Sequence, residues 1–392
     1  MINHLPPQQW TKRADLAALV AALGPDNLRW VGGAVRDSLL GADVQDIDAA
    51  TPLAPQEVIS RLAKAGIRTV PTGIDHGTIT ALMDGSNVEI TTLRSDVSTD
   101  GRRATVAFAQ DWSEDAARRD FTINALFAHP ETLEISDYFG GLDDLAQRRV
   151  RFIGDARQRI REDHLRILRY FRFQARFGSA LDAEAEAACT ELAQTLKGLS
   201  RERVGWELQT LLGLPDPSST VARMHHLRVL QVVLPECAGQ DVAALARLIG
   251  AEQAAGIAPD AMRRLAALLP ALPEIVSSVA TRLRLSRSQR ERLACIAART
   301  PDDADNLQAL AYRKGTDCAV DRLILLGADP APIIGWKAPV LPLKGGEIVR
   351  RGVLAGPSVA RILQTVERRW IDEGFPQTAR VNAILEEELA KE

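Results

Sequence analysis

Apolar positions in the first third of the chain come in short, broken runs. Leu28 to Val31 is one such run; it ends in Gly32-Gly33, and Ala34 to Leu40 then reads as one or two helical turns capped by Gly41. Residues 12–23 (KRADLAALVAAL) carry an amphipathic helical pattern ahead of it. Pro55 to Gly66 predicts a further helix with Val58, Ile59 and Leu62 on its apolar face. Short alternating segments come next at Thr69-Val70, Gly77 to Met83 and Asn87 to Arg94, and Asp84-Gly85-Ser86 suits a hairpin turn between the last two. Residues 95–111 are polar and weakly periodic, which predicts a mobile loop. Ser113 to Phe127 predicts a helix with Ser113 as N-cap and acids in its first turn. Beyond residue 150 strand signals fade and helical periodicity takes over. Ser200 caps one such segment (199–212), and Pro357 opens another through Val359, Ile362, Leu363 and Val366.

At 392 residues the chain is too long for one ordinary core, so two to four domains are expected. Hydrophobic content of 46% with 25% charged residues describes a globular protein. There is no apolar run long enough for a membrane span, and the start, MINHLPPQQW, lacks the layout of a signal peptide; a cytoplasmic protein with no membrane partner is expected. Cys189, Cys237, Cys295 and Cys318 are far apart with no Cys-x-x-Cys, so reduced, buried thiols are expected rather than zinc ligands. His225-His226 cannot share a helix face and suits packing better than metal binding. A net charge of −3 argues against indiscriminate nucleic-acid binding but leaves room for a local basic track. One lies at Arg282, Arg284, Arg287, Arg290 and Arg292, either solvent-facing or an RNA track.

Candidate chemistry starts at the glycine pair. Bare glycines between a strand and a helix let backbone N–H groups approach an anion, and Arg36 on the first helical turn suits phosphate. Asp46 and Asp48 stand at i, i+2, on one face of a strand, where two carboxylates call for a hard cation such as Mg²⁺. In NVEITTLR, Val88 and Ile90 face one way while Glu89 and Thr91 face the other. Asp120 and Asn124 fall at i, i+4 beside Arg119. Between Arg148 and Arg176 lie ten arginines and three acids, including Glu162-Asp163-x-x-Arg166-x-x-Arg169 with Arg172 in step. On a helix Asp163, Arg166 and Arg169 would share a face; plain salt bridges there would add only ~0.2–0.5 kcal/mol each.

The joint pattern VGGAVRDSLLGADVQDID, with RRDFTINAL (118–126) and the EDxxRxxR element, resembles the class II CCA-adding tRNA nucleotidyltransferases and bacterial poly(A) polymerases. The resemblance implies an α/β, polymerase-β-like nucleotidyltransferase head with a small mixed sheet, followed by an all-α neck, body and tail. The corresponding bounds are 1–150, 151–213, 214–295 and 296–392, the last gripping tRNA. It implies that Glu89 completes a metal-binding triad with Asp46 and Asp48. Gly32, Gly33, Arg36 and Arg119 would hold the triphosphate, and Asp120 and Asn124 would contact ribose and phosphates. Asp163 and Arg166 would read the base, with Arg169 and Arg172 positioning the pocket or the phosphates. An Asp–Arg pair suits that role because cytosine and adenine both present an amino donor beside an unprotonated ring nitrogen, whereas guanine and uracil present the reverse. Further matches are ISDYFGGLDDL (135–145), LSRERVGWELQTLL (199–212) and the basic, glycine-flanked turns within 342–370. In HHLRVLQVVLPE (225–236) the family's usual glycine is replaced, so the fit is imperfect.

The activity implied by the resemblance is template-independent addition of C, C and A to the tRNA 3′ end, from CTP and ATP, by two-metal in-line transfer, with no obligate protein partner. Asp100-Gly101-Arg102-Arg103 matches the loop of CCA- and A-adding members and argues against a CC-only enzyme. GIDHGTITAL (73–82) resembles the CCA-adding branch rather than the poly(A) polymerases. An A-adding specialist, a poly(A) polymerase and an inactive RNA-binding protein remain the alternatives.

Overall fold

The computed structural model describes residues 3–44, 46–100, 103–109, 111–177 and 180–391, and it divides into two compact units, residues 1–235 and 236–392. The strands described in the first unit are β1 (Arg29–Val31), β2 (Ile47–Thr51), β3 (Thr69–Gly73), β4 (Thr78–Ala81), β5 (Val88–Thr92), β6 (Arg94–Asp100), β7 (Arg103–Phe108), β8 (Leu126–Ala128) and β9 (Ile135–Asp137). Seven of them form one sheet in the order β3-β4-β5-β2-β1-β8-β9. Every neighbouring pair is antiparallel except β2 with β5. That parallel pair needs a crossover, which is supplied by a helix over Pro55–Lys64 and the β3–β4 hairpin. Val58 and Leu62 are buried, so the helix packs by the face its period marks.

The helices of this unit are α1 (Ala14–Leu23), α2 (Gly33–Leu39), α3 (Pro55–Lys64), α4 (Trp112–Ala117), α5 (Gly141–Ala146), α6 (Ala156–Glu162), α7 (Arg166–Phe177), α8 (Ala183–Glu191), α9 (Arg201–Leu212), α10 (Ser218–His226) and α11 (Leu230–Val233). The mixed sheet and the helical remainder agree with the expected α/β head and all-α continuation.

Two local expectations are corrected. The helix expected over Ser113–Phe127 stops at Ala117, and its cap is Asp111, whose side chain accepts from the Ser113 N–H at 2.7 Å. A 3-10 turn (Thr122–Asn124) and β8 come after it, because Leu126, Phe127 and Ala128 are all buried and fill the sheet position between β1 and β9. Sheet pairing outweighs helical period here. The loop expected over 95–111 contains a two-stranded antiparallel ribbon, β6 with β7. Backbone pairing of this kind leaves no hydrophobic period to read. Gly101 and Arg102 of the Asp-Gly-Arg-Arg stretch lie outside the described residues.

The second unit carries α12 (Gly239–Ala254), α13 (Ala261–Ala267), α14 (Pro273–Arg282), α15 (Arg287–Ala297), α16 (Leu307–Lys314), α17 (Thr316–Leu326), α18 (Gly345–Arg350), α19 (Pro357–Asp372) and α20 (Thr378–Leu389). Ile362, Val366, Trp370 and Ile371 of α19 pack with Val381, Ile384 and Leu385 of α20. Among α12, α13, α15 and α17 the core is partly ionic. Buried Glu252 accepts from Arg263 at 2.6 Å and Arg264 at 2.8 Å, and buried Asp321 accepts from Arg263 and Arg292 at 2.8 Å each. Arg282 and Arg292 of the second basic stretch are thus engaged, Arg282 with both oxygens of Glu236. The expectation of four free thiols is also corrected. Cys295 on α15 and Cys318 on α17 form a disulfide with Cα atoms 6.3 Å apart, a proximity that a sequence separation of 23 conceals. Cys189 and Cys237 are free and buried.

Candidate active site

A cleft of about 450 Å³ opens in the first unit, lined from the sheet side by Gly32, Gly33, Asp48 and Glu89 and from the helical side by Asp163, Arg166, Arg169 and Phe173. Gly32 ends β1 with φ +64°, a left-handed conformation that favours glycine, and an added Cβ would lie 3.5 Å from Arg119 Nη1. At Gly33 an added Cβ would lie 3.8 Å from Arg36 Nη2, so the missing side chain keeps open the approach to that guanidinium. Arg36 lines the cleft yet is only 4% exposed. Its Nε donates to Asp37 at 2.8 Å, its Nη1 donates to Asn124 Oδ1 at 2.5 Å, and its guanidinium packs over Phe173 and Phe177. Burial pulls its pKa down, against the pull of Asp37.

The parallel ladder sets Asp48 directly opposite Glu89. Ile47, Ala49, Val88 and Ile90 are buried, so alternation turns both acids to the other face. Burial and then the charge of Glu89 push Asp48 up to about 6, with Asp46 adding to the repulsion and Arg119 and Arg36 opposing it. Asp46 precedes the strand and is exposed, so it does not share the strand face the spacing suggested. Among the described residues, no three acidic, histidine or cysteine side chains gather into a ready-made cage. The donors that do meet are carboxylate oxygens whose mutual repulsion favours a cation between them, which fits a hard divalent ion. Arg119 is fixed by Asp115, whose Oδ2 accepts from its Nη2 at 3.0 Å.

Asp163 does not lie within a helix. It sits in the break between α6 and α7 with φ −149° and ψ 104°, and α7 starts at Arg166. The shared helix face read from the spacing is therefore replaced by a kink, and both residues still line the cleft. The Asp163 carboxylate accepts from the Leu165 N–H at 3.1 Å and from Arg203 Nη2 at 2.7 Å. Arg166 donates to Glu162 at 2.7 Å and to the carbonyls of Arg159 and Arg118 at 2.9 and 3.1 Å. A carboxylate has about four acceptor positions and a guanidinium about five N–H groups, so both retain capacity for a ligand.

Arg169 donates to Asp120 Oδ2 at 2.7 Å, while Asp120 Oδ1 accepts from Asn124 Nδ2 and the Phe121 N–H, both at 2.9 Å. Burial would raise the Asp120 pKa, but the Arg169 charge and these hydrogen bonds win and hold it below the ordinary carboxylate range. Arg172 is the expected residue that turns elsewhere: it is buried, and its Nε donates to Glu207 at 2.7 Å. Sequence reasoning missed Arg94, Asp115, Arg118 and Phe173 in the cleft lining. Two of them left a signal, Asp115 in its i, i+4 spacing to Arg119 and Arg118 as the first residue of RRDFTINAL.

Comparison with known proteins agrees with the fold. The family model described as poly A polymerase head domain matches residues 28–151, and the one described as probable RNA and SrmB-binding site of polymerase A matches 179–240. The chain is 33% identical over 379 residues to the human mitochondrial CCA tRNA nucleotidyltransferase 1, covering 89% of this chain and 83% of that protein. It is 30% identical over 368 residues to the CCA-adding enzyme of Leuconostoc mesenteroides, covering 86% of each. The crystal structure of the Bacillus stearothermophilus CCA-adding enzyme in complex with CTP superposes with a TM-score of 0.78 at 26% identity, over 96% of this chain and 98% of that one. Sequence, fold and cleft together place the chain in the class II CCA-adding tRNA nucleotidyltransferase family.

Proposed function

We propose that this protein adds C, C and A to the 3′ end of tRNA, taking CTP and ATP in turn and releasing pyrophosphate. The observation that carries the reading is that one cleft is lined by an acid pair, Asp48 and Glu89, and by an Asp–Arg pair, Asp163 and Arg166, whose chemistry suits reading a base. The reading is supported by relatives named CCA-adding enzymes over most of the chain.

The residues divide the work by chemistry. Gly32, Gly33, Arg36 and Arg119 take the triphosphate, the glycines by open backbone and the arginines by charge. Asp120 and Asn124, locked to each other and to Arg169, take the ribose. Asp163 accepts from the exocyclic amino group of cytosine or adenine, and Arg166 donates to the adjacent ring nitrogen. Guanine and uracil would leave both side chains facing like partners, a costly arrangement once the bound base shuts water out. Asp48 and Glu89, joined by Asp46 at the strand mouth, would hold Mg²⁺, which when bound neutralises charge on the phosphates and on the attacking hydroxyl. The tRNA 3′ oxygen attacks the α-phosphorus in line, forming the P–O bond as the bond to pyrophosphate breaks. Residues 1–150 act as the head, 151–213 as the neck bearing the selectivity residues, 214–295 as the body and 296–392 as the tRNA-gripping tail.

The test supplies tRNA ending at the discriminator base, tRNA ending in CC, and unrelated RNA, with each nucleotide singly and together. Ordered C, C, A addition on the first substrate is the expected result. Activity on the CC-ended tRNA alone identifies an A-adding specialist, and long A-tails on any RNA identify a poly(A) polymerase.

A further inference from the structure

α9 carries one side chain at odds with its surroundings. Trp206 is 58% exposed, while the charged side chains beside it on the helix are engaged with the cleft. Arg203, three positions earlier and so on the same stripe, holds Asp163 at 2.7 Å. Glu207, the next residue, holds Arg172 at 2.7 Å and lies 3.6 Å from Arg169. The indole is also the outer end of a stack. The Arg172 guanidinium lies 4.5 Å from the ring centre of Phe173, which lines the cleft, and 5.7 Å from that of Trp206. An aromatic, a guanidinium and a second aromatic thus run outward from the cleft wall to an exposed indole.

Leaving an indole in water forgoes the burial that tryptophan normally gains, and a core role does not account for it. Arg203 on α9 and Arg169 and Arg172 on α7 stand near it, each already held by a carboxylate: Asp163, Asp120 and Glu207 respectively. A flat, sequence-tolerant π surface beside guanidinium groups is the arrangement that single-stranded nucleic acid uses, bases on the ring and phosphates on the cations. The incoming nucleotide does not need it, because Asp163 and Arg166 occupy the cleft interior. We infer that Trp206 is the stacking platform for the last unpaired base of the RNA strand being extended. This rests on the proposed tRNA-extending activity. Because stacking ignores base identity, one platform would serve the end of the strand through all the additions, while Asp163 and Arg166 choose what is added next.

The experiment uses the full chain and tRNA whose 3′-terminal base is 2-aminopurine, a base whose fluorescence falls on stacking. Wild-type protein should quench it without any nucleotide present, and Trp206→Ala should quench it much less while Trp206→Phe retains most of the effect. In steady-state incorporation, Trp206→Ala should raise KM for tRNA about tenfold, the scale of one lost base–aromatic stack, with KM for CTP and ATP unchanged. Thermal unfolding of the variant should match wild type, as befits a side chain more than half exposed. Equal quenching by wild type and Trp206→Ala, or a rise in KM for CTP and ATP in place of tRNA, overturns the inference. Failure of the underlying activity reads differently, since wild-type protein would then incorporate nothing on any tRNA.

Discussion

Arg203 reaches back 40 residues along the chain to place its Nη2 2.7 Å from Asp163 Oδ2, so the carboxylate proposed to read the base is aimed by α9 as well as by its own backbone. Asp163→Ala should lower the preference for CTP over UTP, and for ATP over GTP, by roughly 10- to 100-fold, the worth of one base-edge contact pair. Arg203→Met should cost only about fivefold, one net hydrogen bond, because the Leu165 N–H still fixes the other oxygen. Competition assays with paired nucleotides measure both. Selection against UTP and GTP left intact in Asp163→Ala would refute the base-reading role.

Asp48→Asn and Glu89→Gln should each reduce incorporation by more than ~100-fold, since even the outer partners of metal ligands cost roughly 10- to 100-fold when lost. Gel-shift affinity for tRNA should be unchanged. Chelation of Mg²⁺ should reproduce the loss in wild-type protein, with recovery on adding the ion back. Parallel loss of tRNA binding would instead mean that these acids hold the fold.

Asp120 supplies a pH signature. Its folded pKa lies below the ordinary value of ~3.9, so its contribution to stability is present in full above that value and is lost as pH falls through the depressed one. Asp120→Asn should therefore lower the unfolding midpoint at neutral pH and converge on wild type in strong acid. Denaturant titrations across the acidic range would show it, and a constant difference at every pH would contradict it.

In the second unit, Glu252 is 1% exposed and takes two guanidinium groups. Glu252→Ala takes a buried carboxylate partner from each, although Arg263 keeps Asp321, and breaking a buried pair in this way costs ~3–5 kcal/mol. A drop in urea midpoint of matching size is expected, with Asp48 and Glu89 untouched; a loss under ~1 kcal/mol would show that water replaces the carboxylate.

How far the chain could be read before it was folded depends on the range of each contact. Gly32 and the facing of Glu89 were legible because a left-handed glycine turn and a period of two are local properties. The α4 boundary was not, since Leu126 and Phe127 read as helix until β1 and β9 offer them a place. Asp163 was identified by its neighbours in sequence, but its place in a break between helices was hidden, as was its partner 40 residues on. The same holds for Arg172, which looked in step with Arg166 and Arg169 and is drawn off by Glu207, 35 residues away. Cys295 and Cys318 carried no spacing signal at all.

The lone parallel pairing in the sheet has an evolutionary corollary. Asp48 and Glu89 owe their alignment to a ladder of backbone bonds between β2 and β5, which the excursion joining those strands braces from the other side through β4, where Thr80 stands opposite Glu89. Surface parts of that excursion, such as the exposed turn at Ala65-Gly66 after α3, are free to lengthen, shrink or accept a grafted reporter while the acids stay in line. A slip of a single residue in β5 would do the opposite, delivering Glu89 to the greasy side of the sheet and silencing the enzyme without altering one atom of its composition.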